Sequence, residues 1–136
     1  MADLASRSLR RANSARLGPA EEPARVLSHA TVQAAELLGL SRTALAQVLG
    51  VSEAGVSRLA AGARRIDPLG KEGELALLLV RLYRSLDALV GNDGAQRCAW
   101  LEAFNRGVNG RPIDLIRRAE GLVTVVAYLD AMRAPL

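Results

Sequence analysis

Apolar residues recur at helical spacing along most of the chain. Spacings of three and four residues place them on one face of an α-helix. The first such stretch begins at Pro23, which suits a first helical turn, and ends at Gly39. Its apolar residues are Val26, Leu27, Ala30, Ala34, Leu37 and Leu38. We therefore predict a first helix in this stretch, preceded by a flexible basic arm over residues 1–22.

Two short helices follow, each with a serine before it and a glycine after it. Ser41 can cap the first, which ends at Gly50, and Ser52 can cap the second, which ends at Gly62. A serine hydroxyl accepts hydrogen bonds from the first turn, and a glycine adopts the left-handed backbone that ends a helix. Their apolar residues are Leu45, Val48 and Leu49 in the first helix and Val56 and Leu59 in the second.

A longer helix is predicted after these, with Asp67 and Pro68 as its cap and first turn and Gly91 as its end. It has a broad apolar stripe: Leu75, Leu78, Leu79, Leu82, Leu86, Leu89 and Val90. Asp93 can cap another helix, and Gly107 lies where that helix breaks. Its apolar face carries Cys98, Leu101 and Phe104, with Trp100 beside that face.

The end of the chain is the ambiguous part of the pattern. Pro112 starts a short helical turn, Ile113–Arg118, and an apolar segment, Leu122–Met132, follows it. This segment contains β-branched valines, which favour strands. No partner strand is predicted elsewhere in the chain, so we predict a helix here. The fold class is therefore all-α, which agrees with a composition of 24 Ala and 23 Leu but only three Ile.

Composition excludes several classes of protein. The 136 residues suffice for one compact domain or two small lobes that share a core. A membrane span needs about 20 consecutive apolar residues, and the longest run is Leu75–Val80. The N-terminal residues lack the apolar segment of a signal peptide, so we expect a cytoplasmic protein. One cysteine, Cys98, and one histidine, His29, give neither a disulfide framework nor a metal site.

The sequence also lacks the patterns of common catalytic sites. We find no nucleophile with an adjacent base, no glycine loop that would cradle a phosphate and no pair of carboxylates at a recognisable spacing. We therefore expect a protein that is not an enzyme and that has no catalytic residues, cofactor or metal.

The excess positive charge lies in the first half of the chain. Residues 1–25 hold five Arg against three acids and residues 26–66 four Arg against two, whereas residues 67–136 hold nine basic and nine acidic residues. This asymmetry is typical of a protein that binds a polyanion at one end and something else at the other. The same distribution of charge is expected if these arginines are simply exposed to solvent and bind no polyanion.

Residues 42–61 carry the most specific motif, RTALAQVLGVSEAGVSRLAA. Two helices that cross steeply need a small residue where they touch, which Ala46 provides, and a turn that tolerates positive φ, which Gly50 provides. Val51, Val56 and Leu59 fall where the second helix must be buried. The segment resembles the helix-turn-helix of Xre-type, phage-repressor-like regulators along its whole length.

Such a motif binds DNA through the exposed face of its second helix. Arg58 has the fork geometry for bidentate contact with guanine, and Glu53 can only accept from cytosine. The predicted DNA-binding residues are Arg42, Ser52, Glu53, Ser57, Arg58, Arg64 and Arg65, with Arg7, Arg10 and Arg11 of the arm as additions. Since few of these can distinguish bases, we expect a homodimer on operator DNA. The alternative is a degenerate motif retained for packing.

The back half contains a second pattern, WL at 100–101, NGRPIDLI at 109–116, EG at 120–121, VV at 125–126 and YL at 128–129. A glycine gives a sharp turn, a proline starts a helix and a second glycine lets another element approach the last helix. Together with the first motif, this order resembles the Xre/MbcA/ParS antitoxins over residues 30–132. The chain departs from that family at Arg117–Ala119 and in its tail, Arg133–Leu136.

That resemblance implies an antitoxin whose partner is a RES-domain toxin that consumes NAD⁺, with the antitoxin blocking access to the toxin's active site. It divides the chain into an arm (1–22), a helix-turn-helix domain (23–66) and a toxin-binding or dimerisation domain (67–136). The predicted toxin-binding residues are Trp100, Arg111, Arg117, Arg118, Tyr128, Arg133 and Leu136. Two alternatives remain, a stand-alone dimeric repressor with a dimerisation or sensing domain and an adaptor that does not bind DNA.

Overall fold

The structure, a computed structural model, describes residues 21–135. In this range the chain forms seven α-helices and no strand, which confirms the all-α prediction. The helices are α1 (Glu21–Leu37), α2 (Arg42–Leu49), α3 (Glu53–Ala60), α4 (Lys71–Val90), α5 (Gly94–Glu102), α6 (Pro112–Leu115) and α7 (Ala119–Arg133). Most of the predicted arm, with Arg7, Arg10 and Arg11, lies outside the described residues, as does Leu136.

The predicted caps of the short helices are confirmed. Ser41 Oγ accepts a hydrogen bond of 3.0 Å from the Ala44 amide, and Ser52 Oγ accepts one of 3.0 Å from the Gly55 amide. Gly50 follows α2 with a φ of +69°, the left-handed conformation that only glycine adopts without strain. These signals act within one turn of the chain, so the sequence alone locates both helices.

The start of α4 differs from the prediction. Asp67 and Pro68 do not cap the helix, which begins at Lys71 with Gly70 at its N-cap. Asp67 Oδ1 instead accepts a hydrogen bond from the Leu69 amide, which closes a local turn. This turn packs on the first turn of α4, where a Cβ on Gly73 would come 2.2 Å from the Asp67 carbonyl oxygen.

α4 is the central helix of the fold. It packs most extensively against α1 and α7, and its Leu79, Leu82 and Leu86 are fully buried. A single cluster of buried apolar side chains extends through this core from α1 to α7. The buried Ser28 of α1 accepts a hydrogen bond of 2.7 Å from the Ile66 amide, which fixes the segment that leads into α4. The two halves of the chain therefore share one core.

An ion pair between the buried Arg97 and the partly exposed Asp87 joins three helices near the start of α5. Arg97 Nη1 donates to Asp87 Oδ1 of α4 at 2.5 Å, and its side chain is only 7% exposed. Its Nε donates to the Leu37 carbonyl of α1, and its guanidinium lies 5.5 Å from the centre of the Tyr83 ring. A buried charge with this many partners fixes the position of α5 against α1 and α4.

Several residues predicted on buried helix faces are exposed. Val26, Leu37 and Leu89 lie on the outer sides of α1 and α4. Phe104 was predicted on the apolar face of α5, but that helix ends at Glu102 because Ala103 adopts extended backbone angles, and Phe104 is 64% exposed. The prediction for Phe104 was wrong because helical spacing was extended past the end of the helix.

The glycine in the EG step has the role predicted for it. A Cβ on Gly121 would come 2.0 Å from the carbonyl oxygen of Leu115, so the last residue of α6 packs directly on the backbone of α7. The short helix covers Pro112–Leu115 and gives way to a turn before Arg118, which shortens the predicted Ile113–Arg118. The predicted last helix is confirmed and extends over Ala119–Arg133.

Candidate functional site

The helix-turn-helix geometry is present in α2 and α3. Ala46 is buried where the two helices touch, and the Val51 amide donates to the Ala46 carbonyl at 3.0 Å to close the turn. Gly55, Val56 and Leu59 form the buried side of α3. The opposite side of α3 is exposed, as a helix-turn-helix requires of the helix that contacts DNA.

Two hydrogen bonds link α2 to α3 across this open side. Arg42 Nη1 donates to Ser57 Oγ at 2.7 Å, and Thr43 Oγ1 donates to a carboxylate oxygen of Glu53. Three of the predicted DNA-binding residues are thereby brought together. Thr43 is neutral, so this hydrogen bond does not compensate the negative charge of the Glu53 carboxylate. The carboxylate therefore reduces the net positive charge of this surface.

Arg58 and Ser52 also lie on this side. The Ser52 oxygen accepts the cap bond from Gly55, which leaves its hydroxyl hydrogen free to donate elsewhere. Arg58 is exposed, and within residues 21–135 no hydrogen bond or ion pair engages its guanidinium. Arg58 is therefore the cation on α3 that is available to a DNA base or phosphate.

Arg64 and Arg65 differ in their surroundings although they are adjacent. Arg64 Nη2 donates to Glu72 Oε2 at 2.9 Å, and its Nη1 is buried without a hydrogen-bond partner. Arg65 is exposed beside the start of α1. There a hydrogen bond from Arg25 lowers the pKa of Glu22, and the charge of Arg65 adds to the effect. Arg64 thus supports the fold, and Arg65 faces solvent.

In the second half, the structure brings Trp100 of α5 and Tyr128 of α7 together. Their rings stack with centroids 6.4 Å apart and an angle of 25° between the planes. The Tyr128 ring covers Gly107, where a Cβ would come 2.2 Å from a ring carbon. Both rings are half-buried and pack against the core, so each presents one part to solvent.

The arginines predicted to bind a toxin do not form one cluster. Arg111 Nε donates to the Glu102 carbonyl at 2.6 Å, whereas Arg118 lies 3.7 Å from Glu120 in a fully exposed pair. Arg117 Nη1 donates to Gln47 Oε1 of α2 at 3.1 Å, which connects the end of α6 to the helix-turn-helix. Their contact with a toxin stays a prediction.

Family comparisons match both halves of this architecture. Residues 19–81 match the antitoxin Xre-like helix-turn-helix domain, and residues 85–134 match the antitoxin Xre/MbcA/ParS C-terminal toxin-binding domain. The chain belongs to the Xre-type antitoxins. This antitoxin therefore combines a DNA-binding helix-turn-helix with a toxin-binding domain, and domains of these kinds typically act by binding. No curated protein matches it.

The first matched span of the antitoxin extends into α4, as far as residue 81. The predicted boundary between residues 66 and 67 stays a prediction. Among residues 21–135, no helix of the antitoxin is long and apolar enough to cross a bilayer. In the same range, no group of three or more His, Cys, Asp or Glu side chains could hold a metal ion.

A groove between α4 and α7 was missed by the sequence analysis. Arg133 Nη1 donates to Ser85 Oγ at 3.0 Å, and Ser85 in turn donates to Asp130 Oδ1 at 3.0 Å. Arg81 pairs with the other oxygen of Asp130, and Arg84 lines the same cavity of about 460 Å³. Arg81 and Arg84 lie three residues apart beside the apolar stripe of α4. Residues at this spacing are neighbours on a helix surface, so the sequence could have indicated a pair of arginines at the edge of the stripe.

Proposed function

We propose that this antitoxin neutralises a RES-domain toxin that consumes NAD⁺ by covering the entrance of the toxin's active site. We further propose that it represses its own operon as a homodimer bound to operator DNA in the cytoplasm. The observation that carries the proposal is that the chain has an open helix-turn-helix face and, in its other half, a partly exposed aromatic pair. Arg58 lies on the open side of α3, and the Trp100–Tyr128 pair lies in the span that matches the toxin-binding domain.

The DNA-binding half is supported by the cations that remain available. Arg58 can donate two hydrogen bonds to guanine, and the exposed Arg65 can contact a phosphate. Arg42, Ser52, Ser57 and Glu53 complete the proposed surface, whereas Arg64 already has a carboxylate partner. One helix with so few readers binds weakly, so two copies on half-sites about 34 Å apart are needed for tight binding.

The toxin-binding half is supported by its balanced charge and its aromatic pair. Residues 67–136 hold nine basic and nine acidic residues, which gives no net attraction for nucleic acid. A stacked Trp and Tyr are typical anchors of protein interfaces. The resemblance to the family implies that the last helix and tail lie near the toxin's NAD⁺ cleft. Arg111, Arg117, Arg118, Arg133 and Leu136 are the proposed contacts there, and the antitoxin itself performs no chemistry.

The proposal is tested by co-expressing the antitoxin with the product of the adjacent reading frame. We expect the two proteins to co-purify and cellular NAD⁺ to stay at its normal level, whereas expression of the partner alone depletes NAD⁺. Operator binding is measured in parallel on DNA from the upstream region. DNA binding without any co-purifying partner would favour a stand-alone repressor. A complex formed while NAD⁺ is unaffected by the partner would contradict the RES assignment.

A further inference from the structure

Phe104, the one phenylalanine of the chain, lies on the surface of the antitoxin. It follows the end of α5, is 64% exposed and does not pack against the buried core. An aromatic ring of this size in water forgoes most of the free energy that its burial would give. Isolated apolar residues are common on surfaces. Phe104 differs from them because hydrogen bonds hold the backbone of the loop that it begins.

Hydrogen bonds fix the loop that carries Phe104. The next residue, Asn105, exchanges two backbone hydrogen bonds with Gly110, at 2.9 and 3.2 Å. The Asn105 side chain accepts another from the Gly107 amide at 2.7 Å, and Arg111 donates to the Glu102 carbonyl on the far side of the loop. A loop that is already ordered loses little conformational entropy when a partner binds.

The stacked rings behind the loop support it further. Gly107 lies directly under the Tyr128 ring, which itself stacks on Trp100. The half-buried Trp100–Tyr128 pair is thus the base on which the loop rests, and the exposed Phe104 belongs to the part that projects from it. Phe104 is thus exposed at the start of a loop that hydrogen bonds and the contact of Gly107 with the Tyr128 ring hold against the fold.

Arg106 gives the loop a charge. It is exposed, and no ion pair or hydrogen bond engages its guanidinium within residues 21–135. Because Arg106 lies only two residues after Phe104, a partner that receives the Phe104 ring in an apolar hollow can place a carboxylate within reach of Arg106. An aromatic anchor surrounded by polar contacts is the usual composition of an interface hot spot.

We propose that Phe104 is the main anchor of the antitoxin on its toxin and that Arg106 pairs with an acidic residue beside the hollow that receives it. The toxin is the occupant because residues 104 and 106 lie within the span that matches a toxin-binding domain, 85–134. This inference rests on the proposed function, since it requires a toxin partner. It adds two residues that the sequence analysis did not place at the interface.

The test compares two variants at matched exposed apolar positions. The affinity of the co-purified toxin for Phe104→Ala is measured against that for the wild-type antitoxin and for Leu69→Ala. Leu69 is 93% exposed but lies outside the toxin-binding span. We expect Phe104→Ala to weaken the complex by a factor of about 30, and Leu69→Ala to leave it unchanged. Melting temperatures of both variants should stay within about 3 °C of the wild type.

Arg106→Gln provides a second measurement. Loss of an exposed charge pair mainly slows association and reduces its dependence on salt. A folded Phe104→Ala variant that binds the toxin as tightly as the wild type would overturn the inference. Loss of antitoxin self-association in Phe104→Ala, with its toxin affinity retained, would also overturn the inference. Phe104 would then contact a second copy of the antitoxin and not the toxin. Failure of the wild-type antitoxin to bind the toxin would instead contradict the proposed function.

Discussion

Arg42 donates a hydrogen bond of 2.7 Å to the hydroxyl of Ser57, so a residue expected at a DNA phosphate and one expected at a base are partners in the free antitoxin. The bond spans the open side of the helix-turn-helix and holds the start of α2 against α3. Because the Ser57 oxygen accepts this bond, its hydroxyl hydrogen stays free to donate to a DNA base or phosphate. Arg42 keeps its charge and its other N–H donors for a phosphate, and Arg58, which lies on α3 without such a partner among the described residues, is the main candidate for contact with a base.

Arg58→Ala is expected to weaken operator binding by about 1–3 kcal/mol and to relax sequence preference. The reason is that Arg58 is the exposed cation of α3 without a partner among the described residues. Fluorescence anisotropy with operator and scrambled duplexes measures both effects. Arg84→Ala, which removes an exposed arginine on α4, is the matched control and should bind as the wild type does. Equal loss in both variants would mean that only net charge matters.

Arg64 and Arg65 should respond differently to removal. Arg65→Ala is expected to reduce the slope of log affinity against log salt by about one unit, because one phosphate contact is lost. Arg64→Ala should instead lower the free energy of unfolding by about 1 kcal/mol, since it leaves the half-buried Glu72 without its partner. Salt titrations and urea unfolding separate the two. A change of salt slope in Arg64→Ala at unchanged stability would contradict this division.

The fold could be predicted wherever the signal is local. Ser41, Ser52 and Gly50 act within one turn of the chain, and the structure confirms their roles. Asp67 was misjudged because an aspartate before a proline can either cap a helix or close a turn. Phe104 was misjudged because periodicity does not show where a helix ends.

The candidate sites depend more on contacts between distant residues. Arg117 and Gln47 are far apart in sequence, and nothing local indicates their hydrogen bond. Arg97 is a charged residue whose burial depends on the carboxylate of Asp87 and the carbonyl of Leu37. The stacking of Trp100 on Tyr128 likewise follows from how α5 and α7 pack. Such pairings require the tertiary structure.

The Arg97–Asp87 pair gives a prediction on stability. Asp87→Ala is expected to lower the free energy of unfolding by about 3 kcal/mol, because the nearly buried Arg97 loses its counter-charge. Urea unfolding followed by circular dichroism measures the change. Arg118→Ala breaks the exposed pair with Glu120 and should alter stability by about 0.5 kcal/mol at most. Similar losses in the two variants would show that the buried position of Arg97 has no energetic effect.

The C-terminal residues give the last prediction, which concerns how the toxin is blocked. Arg133 lies in the last turn of α7 and donates to Ser85, so a deletion that starts at Ala131 would damage the helix as well as the tail. Removing Ala134–Leu136 keeps Arg133 and removes from the helix the cap hydrogen bond that the Ala134 amide donates to the Ala131 carbonyl, so it tests mainly the tail. If the tail covers the NAD⁺ cleft, this truncation should still bind the toxin with nearly the wild-type affinity but should protect cells that express it much less well.

Arg133→Ala separates the contribution of the arginine from that of the tail. Because Arg133 donates to Ser85 in the free antitoxin, it must exchange this hydrogen bond for one to a toxin carboxylate, and the net gain is small. We therefore expect a weaker effect from Arg133→Ala than from the truncation, measured as survival and NAD⁺ content with circular dichroism as the check of folding. A folded truncation that neutralises the toxin fully would show that blocking comes from the helix faces and the Phe104 loop instead.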